Sequence, residues 1–396
     1  MVAGTGLAMV LVAGAASAFM AWSIGAGSSG STPFAPAVGA NAITTLRAGL
    51  LVGILGFAGA VLQGANVTEA VGRELIVGAT LSPVAATLAL VIAGALVAVG
   101  VFTGYPIATA FTVTGAVVGT GLALGGQPAM DKYVQIGTLW VLVPIVGGAT
   151  SYALGRLLRS DGISTAVTVA LLGGVVGAIV ANVELALLGP PGRSASIARS
   201  VAATVAEPSP ASLALATLAI AGVVAGALYR PAARDPTAAN REFLLALGAL
   251  VAFSAGGTQV GLALGPLLPL LDPYDLPLTL VLVGGGLGLL AGSWTGAPRM
   301  IKALSQDYSA LNPALSIAAL IPAFAIAQVA VFYGIPVSFN EIIVSAIVGS
   351  GLAGGGGGVS RRKAVRTVGA WIGSLLLAFV LGYAGYLLFE MVGVVG

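Results

Sequence analysis

Hydroxyl side chains cluster with helix-breaking residues at a few places in an otherwise apolar chain. The first cluster, SIGAGSSGSTPFAPAVG at 23–39, places Ser28, Ser29 and Thr32 among glycines and prolines. A helix that stops inside a membrane leaves unpaired N–H groups at the start of the next helix, with a dipole of about half a positive charge. Such a start binds anions. In this interpretation the hydroxyls add donors, and Thr32-Pro33 forms the N-cap and first position of the next helix.

A second cluster has the same character. In FSAGGTQVGLALGPL at 253–267, Thr258 and Gln259 occupy the corresponding helix break. No Lys or Arg lies firmly inside an apolar run, so an anion between the two clusters would be held by dipoles and neutral donors. The alternative is that both stretches are flexible loops at a membrane surface, closed by caps.

Two further stretches begin with Gly-x-Pro and open runs of small residues. ATAF contributes Thr109, and SFNE contributes Ser338, Asn340 and Glu341. Glu341 has no basic residue nearby in sequence, and an acid inside a membrane is a candidate for binding a cation or a proton. The alternative is a capping box, in which Ser338 and Glu341 satisfy each other's backbone N–H groups. The two roles are compatible.

The composition places these residues in a membrane. The chain of 396 residues is 58% hydrophobic and 7% charged, with a mean hydropathy of +1.06, whereas soluble proteins carry about 25% charged residues. Without Cys or His, the chain has no disulfide, no thiolate metal site and no histidine proton shuttle. We therefore expect no cofactor, no metal site and no enzymatic activity. A net charge of +3 gives no argument for nucleic acid.

Apolar runs of spanning length indicate about twelve transmembrane helices and an all-α polytopic fold. The runs lie near 3–24, 44–64, 82–103, 107–125, 137–157, 164–188, 210–229, 243–262, 277–297, 312–333, 339–354 and 366–392. The short, Gly-rich runs at 107–125 and 339–354 either span or re-enter. The first run lacks a basic start, which favours a retained span over a cleaved signal.

The basic residues predict an orientation. Twelve of the sixteen Lys and Arg residues follow odd-numbered runs, and only Arg73, Lys132, Arg193 and Arg199 follow even-numbered ones. By the positive-inside rule the first group is cytoplasmic. We therefore predict a multi-pass protein of the cell membrane with both termini outside.

The chain also repeats itself. GYPIATAFTVTGAVVGTGLALGG at 104–126 matches GIPVSFNEIIVSAIVGSGLAGGG at 334–356 at ten of 23 positions. We predict a first repeat at 1–160, a connector with two spans at 161–240 and a second repeat at 241–396. The repeats begin at spans 1 and 8, so the second is inverted. Inverted repeats with interrupted helices are typical of secondary transporters with a site at mid-membrane.

At these motifs the chain resembles the inorganic phosphate transporter family, PiT. That family has a Gly-Ala-Asn-Asp signature near the start of each inverted repeat, and a Gly-x-Pro-Val-Ser-Thr-Thr-His stretch before a Gly-rich helix. The similar segments here are APAVG at 35–39, GFAGAVLQGANVT at 56–68, LGPL at 264–267, GYPI at 104–107, LNP at 311–313 and GIPV at 334–337. The resemblance covers nearly the whole chain apart from 160–240.

The resemblance implies cation-coupled uptake of a tetrahedral anion by alternating access. By position, Ser28 and Ser29 replace the first Asn-Asp pair, Thr258 and Gln259 replace the second, and Glu341 replaces the histidine. On this resemblance we expect a divergent member of the family that lacks the signature aspartates. The coupling ion is either Na⁺, held by hydroxyl and carbonyl oxygens, or a proton on Glu341.

Several functional alternatives remain open at the level of sequence. The leading hypothesis is a phosphate symporter whose anion site contains Ser28, Ser29, Thr32, Thr109, Thr258, Gln259, Ser338 and Asn340. Sulfate is the alternative substrate, because an all-donor site accepts either anion. A passive anion channel would share the site, whereas an embedded enzyme or a sensor lacks support. Small-residue faces are compatible with a homodimer.

Overall fold

The structure is a computed structural model that describes residues 2–160, 162, 164–190, 193–205, 207–355 and 359–393, with only the backbone of residues 2–6. The helices are α1 Val2–Gly27, α2 Ala35–Gly39, α3 Thr45–Gln63, α4 Ala65–Arg73, α5 Pro83–Thr103, α6 Thr109–Ala123, α7 Met130–Leu158, α8 Thr165–Ala181, α9 Ile197–Ala203, α10 Pro210–Arg234, α11 Pro236–Leu264, α12 Leu268–Leu271, α13 Leu278–Thr295, α14 Ala297–Gln306, α15 Pro313–Phe332, α16 Phe339–Ala353 and α17 Arg361–Met391. Strand β1 (Ile76–Val77) pairs with β2 (Gln127–Pro128), and β3 (Glu184–Leu185) pairs with β4 (Ala195–Ser196), both antiparallel.

The predicted all-α membrane architecture is confirmed. Within the described residues, nine helices are long and apolar enough to cross a membrane. Three further apolar helices are shorter: α6 and α16 have 15 residues each, and α8 has 17. The protein is therefore a multi-pass membrane protein with a helical core.

Local sequence explains where several helices begin. The Ser82 hydroxyl accepts a hydrogen bond from the Ala85 N–H at 3.2 Å, and Pro83 occupies the first turn of α5. Asn312 caps α15 in the same way, with its side-chain oxygen 2.9 Å from the Leu315 nitrogen. Each cap satisfies a backbone N–H that the helix leaves free, and proline fits the first turn because its missing N–H is not needed there.

Close backbone contacts hold the long helices together. A Cβ on Gly59 of α3 would collide with the carbonyl oxygen of Phe253 on α11, and a Cβ on Gly256 would collide with that of Gly56. Small residues let membrane helices approach until their backbones touch, which increases van der Waals contact. The glycine abundance of the sequence therefore serves helix packing.

The first cluster interrupts a helix, but its cap differs from the prediction. Helix α1 ends at Gly27, and α2 begins only at Ala35 with Phe34 at the N-cap position. The predicted N-cap role of Thr32 is wrong. Its hydroxyl instead donates to the Ser28 carbonyl at 2.9 Å, because the intervening residues form turns whose carbonyls need donors.

The predicted break at Thr258 and Gln259 is also wrong. Both residues lie inside α11, which continues to Leu264 before a 3₁₀ turn at Gly265–Leu267. The Thr258 hydroxyl donates to the carbonyls of Ser254 and Ala255 within the helix. The glycines of this stretch therefore permit close packing and do not turn the chain.

Candidate functional site

Gln259 joins three separate segments in the centre of the protein. Its side-chain oxygen accepts hydrogen bonds from the hydroxyls of Thr109 at 2.6 Å and Ser28 at 3.2 Å. Its amide nitrogen donates to the Val337 carbonyl at 2.8 Å. All four residues are fully buried. Gln259 thus links the loop after α1, the start of α6 and the approach to α16.

Asn340 makes a second connection between the same segments. Its amide nitrogen donates to the Gly27 carbonyl at 2.9 Å and to the Ile107 carbonyl at 2.7 Å. Gly27 is the last residue of α1, and Ile107 lies two residues before α6. The Asn340 side chain, in the first turn of α16, therefore satisfies a carbonyl at the end of α1 and another just before α6.

The N-terminal ends of α6 and α16 consequently meet. At neither N-cap, Ala108 or Ser338, does a side chain accept a hydrogen bond from the first turn. The free N–H groups of a helix start carry partial positive charge. Two such starts beside one another, both buried in the protein, are suited to an anion.

Unpaired polar atoms surround this meeting point. Across the part of the chain that is described, seven buried side-chain polar atoms lack a hydrogen-bond partner within the protein. Four of these belong to the predicted site: the hydroxyls of Ser29 and Ser338, the carbonyl oxygen of Asn340 and one carboxyl oxygen of Glu341. Buried polar groups are normally satisfied, so this concentration makes the meeting point a candidate site for a polar ligand.

Glu341 does not form the alternative capping box. Ser338 stands at the N-cap position of α16, but its hydroxyl accepts no hydrogen bond, and the second half of the box is absent as well. The Glu341 side chain is only 1% exposed. In this structure the carboxyl group is therefore left free of a capping role.

The predicted site residues lie close together, but their side chains differ in whether they hydrogen-bond to another segment or to their own. Ser28, Thr109, Gln259 and Asn340 bond across segments. The hydroxyls of Thr32 and Thr258 donate hydrogen bonds to carbonyl oxygens of their own segments. They are buried beside the site but offer it no free donor.

Two indole groups support the site and were missed in the sequence. Trp371 of α17 donates to the Pro106 carbonyl at 2.8 Å, and Trp140 of α7 donates to the Pro336 carbonyl at 3.0 Å. Pro106 and Pro336 belong to the repeated Gly-x-Pro motif. A signal was present, because the tryptophans are separated by nearly the offset of that motif.

Comparison with known proteins identifies the family. The sequence profile described as "Phosphate transporter family" matches residues 24–382. The chain belongs to the phosphate transporter family. It is therefore an inorganic phosphate transporter of the membrane, and not an enzyme.

The relatives and a solved structure agree with this membership. The transporter is 25% identical to the chloroplastic inorganic phosphate transporter 2-1 of Arabidopsis thaliana, over 89% of this chain and 68% of that protein. It is 25% identical to a putative phosphate permease of Pyrococcus horikoshii, over 91% and 93% of the two chains. Its fold matches a structure titled "The sodium-dependent phosphate transporter" with a TM-score of 0.81 at 22% identity, covering 97% and 99% of the two chains.

Proposed function

We propose that this transporter carries phosphate by alternating access, with the anion bound where Gln259 and the first turns of α6 and α16 meet. The observation that carries this proposal is the convergence of two buried, uncapped helix starts with unpaired polar atoms around them. Backbone dipoles and neutral donors hold an anion without a permanent positive side chain. Such a site can also release its cargo.

The proposed inversion of the two repeats has support from where α6 and α16 enter. We call the side that carries the connections after odd-numbered runs the basic face. The segment before α6 lies at the basic face, where the Lys363 ammonium stands 5.1 Å from the Tyr105 ring centre. The segment before α16 lies at the opposite face, where Asn66 donates to the Val331 carbonyl at 3.2 Å. The two helices thus enter from opposite sides and begin at the same depth.

Matched glycine contacts support the repeats at 1–160 and 241–396, with 161–240 as their connector. A Cβ on Gly119 would collide with the Phe379 carbonyl oxygen, and one on Gly349 would collide with the Gly148 carbonyl oxygen. Gly119 and Gly349 are 230 positions apart, and Gly148 and Phe379 are 231 apart. Each half therefore supplies a helix on which the other half packs its short helix.

Phosphate is the substrate we favour, and sulfate is the alternative. At neutral pH phosphate still carries a proton to donate, whereas sulfate carries none. When the Glu341 carboxyl is ionised, its unpaired oxygen would accept a hydrogen bond from that phosphate hydroxyl. Hydroxyl donors alone, such as the unpaired ones of Ser29 and Ser338, would accept either anion.

For coupling, we propose that Glu341 binds a proton or contributes to a Na⁺ site. Neutral Ser28, Ser29, Thr258 and Gln259 stand at the positions that the family resemblance assigns to the signature Asn-Asp pairs. These residues offer only uncharged oxygens to a cation. Among the residues that the structure describes, Glu341 has the only buried carboxyl group, and it therefore carries the coupling role in this proposal.

We also propose the cell membrane as the location, with the basic face in the cytoplasm and both termini outside. The proposal rests on the positive-inside bias of the sequence. The chain has no native Cys, so single cysteines introduced at Arg193 and at Arg234 test it directly. Impermeant maleimide applied to intact cells should label only the Arg193→Cys variant, and the reverse pattern would contradict the orientation.

Uptake into proteoliposomes tests the transport proposal. Radiolabelled phosphate should accumulate under an inward Na⁺ or proton gradient, and unlabelled phosphate should compete better than sulfate. Glu341→Gln should abolish gradient-driven accumulation and retain phosphate exchange. Phosphate entry that needs no Na⁺ or proton gradient and stops when the inside and outside have equilibrated would indicate a channel. Equal competition by sulfate would make the protein a general oxyanion permease.

A further inference from the structure

A large cavity lies between the hairpin of α8 and α10 and the rest of the helical bundle. Its volume is about 1190 Å³, which exceeds the roughly 300–1,000 Å³ typical of small-molecule pockets. Apolar side chains from four helices form much of its wall, among them Leu62, Val175, Ile179, Leu282 and Val329. Val175 and Val329 are about half exposed although they line the cavity, so the cavity is open and not sealed inside the protein.

The mouth of the cavity carries charge. Arg193 and Arg199 line it, and within the described residues neither guanidinium forms a salt bridge. Glu184 also lines the mouth, but one of its carboxyl oxygens accepts a hydrogen bond from the Ser194 hydroxyl at 3.0 Å. Because two arginines and only one carboxylate line the mouth, its net charge is positive.

The segment that contains these arginines also exposes large apolar side chains. Its large apolar side chains point outwards, with Leu187 76% and Val205 87% exposed. Short α9 buries Ala198 and Ala202 on one side and exposes Val201 on the other. Apolar side chains exposed beside arginines are typical of a segment at the boundary between headgroups and acyl chains.

The floor of the cavity is closed by a saturated polar cluster. Gln63 donates to the Glu184 carbonyl and to the Gln328 side chain, each at 3.1 Å. Gln328 donates to the Ser254 hydroxyl at 2.6 Å. These amide donors are already occupied, and the Ser254 that accepts from Gln328 precedes Gln259 by five positions on α11. A free anion in the cavity would therefore find no free amide donor on Gln63 or Gln328.

We propose that this cavity binds an anionic phospholipid, with its acyl chains against the apolar walls and its phosphate between Arg193 and Arg199. A lipid matches the size of the cavity, the apolar part of its wall and its basic mouth. Clusters of basic residues at the headgroup level attract anionic lipids electrostatically. The lipid fills the space between the α8–α10 hairpin and the bundle.

Native mass spectrometry of the purified transporter tests this proposal. The protein is mixed with equal amounts of phosphatidylglycerol and phosphatidylcholine that carry the same acyl chains. The wild type should retain phosphatidylglycerol with about thirtyfold preference, from two basic contacts. Arg193→Gln/Arg199→Gln should lose this preference. The matched control Arg230→Gln/Arg234→Gln, on the basic face, should keep it.

Two further measurements distinguish a lipid inside the cavity from a lipid elsewhere and from a free anion. Ala178→Trp, which fills the cavity from α8, should reduce retention of both lipids without changing the thermal unfolding temperature. A large excess of inorganic phosphate should leave the bound phosphatidylglycerol in place. Three outcomes would overturn the proposal: equal retention of the two lipids, lipid binding unaffected by Ala178→Trp, and displacement of the lipid by inorganic phosphate. The last outcome would identify a binding site for free phosphate.

Discussion

Trp371 holds the segment that leads into α6 by donating its indole N–H to the carbonyl oxygen of Pro106 at 2.8 Å. The same relationship recurs with the halves exchanged, because Trp140 donates to Pro336 before α16 at 3.0 Å. Each short helix therefore depends on a tryptophan from the other half of the chain. A displacement in one half would be transmitted to the binding segment of the other.

Removing either indole donor should weaken transport. Trp371→Phe and Trp140→Phe each leave a buried carbonyl without its donor, which costs about 1–3 kcal/mol. Phenylalanine keeps an aromatic ring in place, including the stack of position 140 on Phe111, whose ring centres are 3.8 Å apart. We expect both variants to lower the rate of phosphate uptake by a similar factor.

Trp294→Phe is the matched control for these variants. The Trp294 ring is 47% exposed and donates to the Leu50 carbonyl at 3.3 Å, away from the site. Uptake by this variant should stay close to that of the wild type. If all three variants lost the same activity, the effect would belong to tryptophan packing in general.

The close glycine contacts of α6 and α16 make a second prediction. Gly119→Ala and Gly349→Ala should each lower the unfolding temperature, because the new methyl group would push α6 from α17 or α16 from α7. Overpacking of this kind typically costs about 1–3 kcal/mol. Gly222→Ala on α10, where a methyl group meets open space, should be neutral or slightly stabilising. Thermal unfolding in detergent measures all three.

The sequence predicted the helical membrane fold well because the lipid environment leaves few options. A spanning segment must satisfy its backbone internally and be apolar, so the apolar runs match the helices of the structure. The interruption after Gly27 was visible for a related reason. Glycine, serine and proline occur there together, and the helix cannot continue through them.

The second cluster shows where this approach fails. Glycines near Thr258 signal either a turn or a close helix contact, and sequence alone does not distinguish the two. The structure uses Gly256 for contact with α3, so α11 continues. Likewise the spacing of Ser338 and Glu341 fits a capping box, but the meeting of α16 with α1 and α6 determines how those side chains are oriented. Such contacts arise between segments distant in sequence.

Asn340 and Ser338 should respond differently to substitution. Asn340→Ala removes donors from two buried carbonyls, those of Gly27 and Ile107, and should lower both stability and uptake. Ser338→Ala removes a hydroxyl that has no partner within the protein, so stability should be nearly unchanged. If that hydroxyl contacts phosphate, the apparent KM for uptake should still rise severalfold. An unchanged KM would remove Ser338 from the site.

The hydrogen bond between Tyr308 and Thr367, at the basic face, gives a prediction for a double-mutant cycle. The hydroxyls of Tyr308 and Thr367 are 2.7 Å apart and fully buried. Tyr308→Phe and Thr367→Val should each destabilise the protein by about 1 kcal/mol. Because both remove the same hydrogen bond, the double variant should cost little more than either single one. Additive losses would show that the bond contributes nothing.

Alkaline pH provides an independent test of the same tyrosine. Burial raises the pKa of Tyr308 above its ordinary value, because the phenolate would lose its hydration. Between the unfolded pKa of about 10 and the higher folded pKa, only the unfolded chain releases this proton. Folding stability should therefore be complete below pH about 10 and fall as the pH rises above it. In thermal unfolding scans, Tyr308→Phe should reduce the loss of stability at alkaline pH. The control Tyr274→Phe, at an exposed position, should leave that loss unchanged. If the unfolding temperature of Tyr308→Phe fell with pH as steeply as that of the wild type, the assignment to Tyr308 would be wrong.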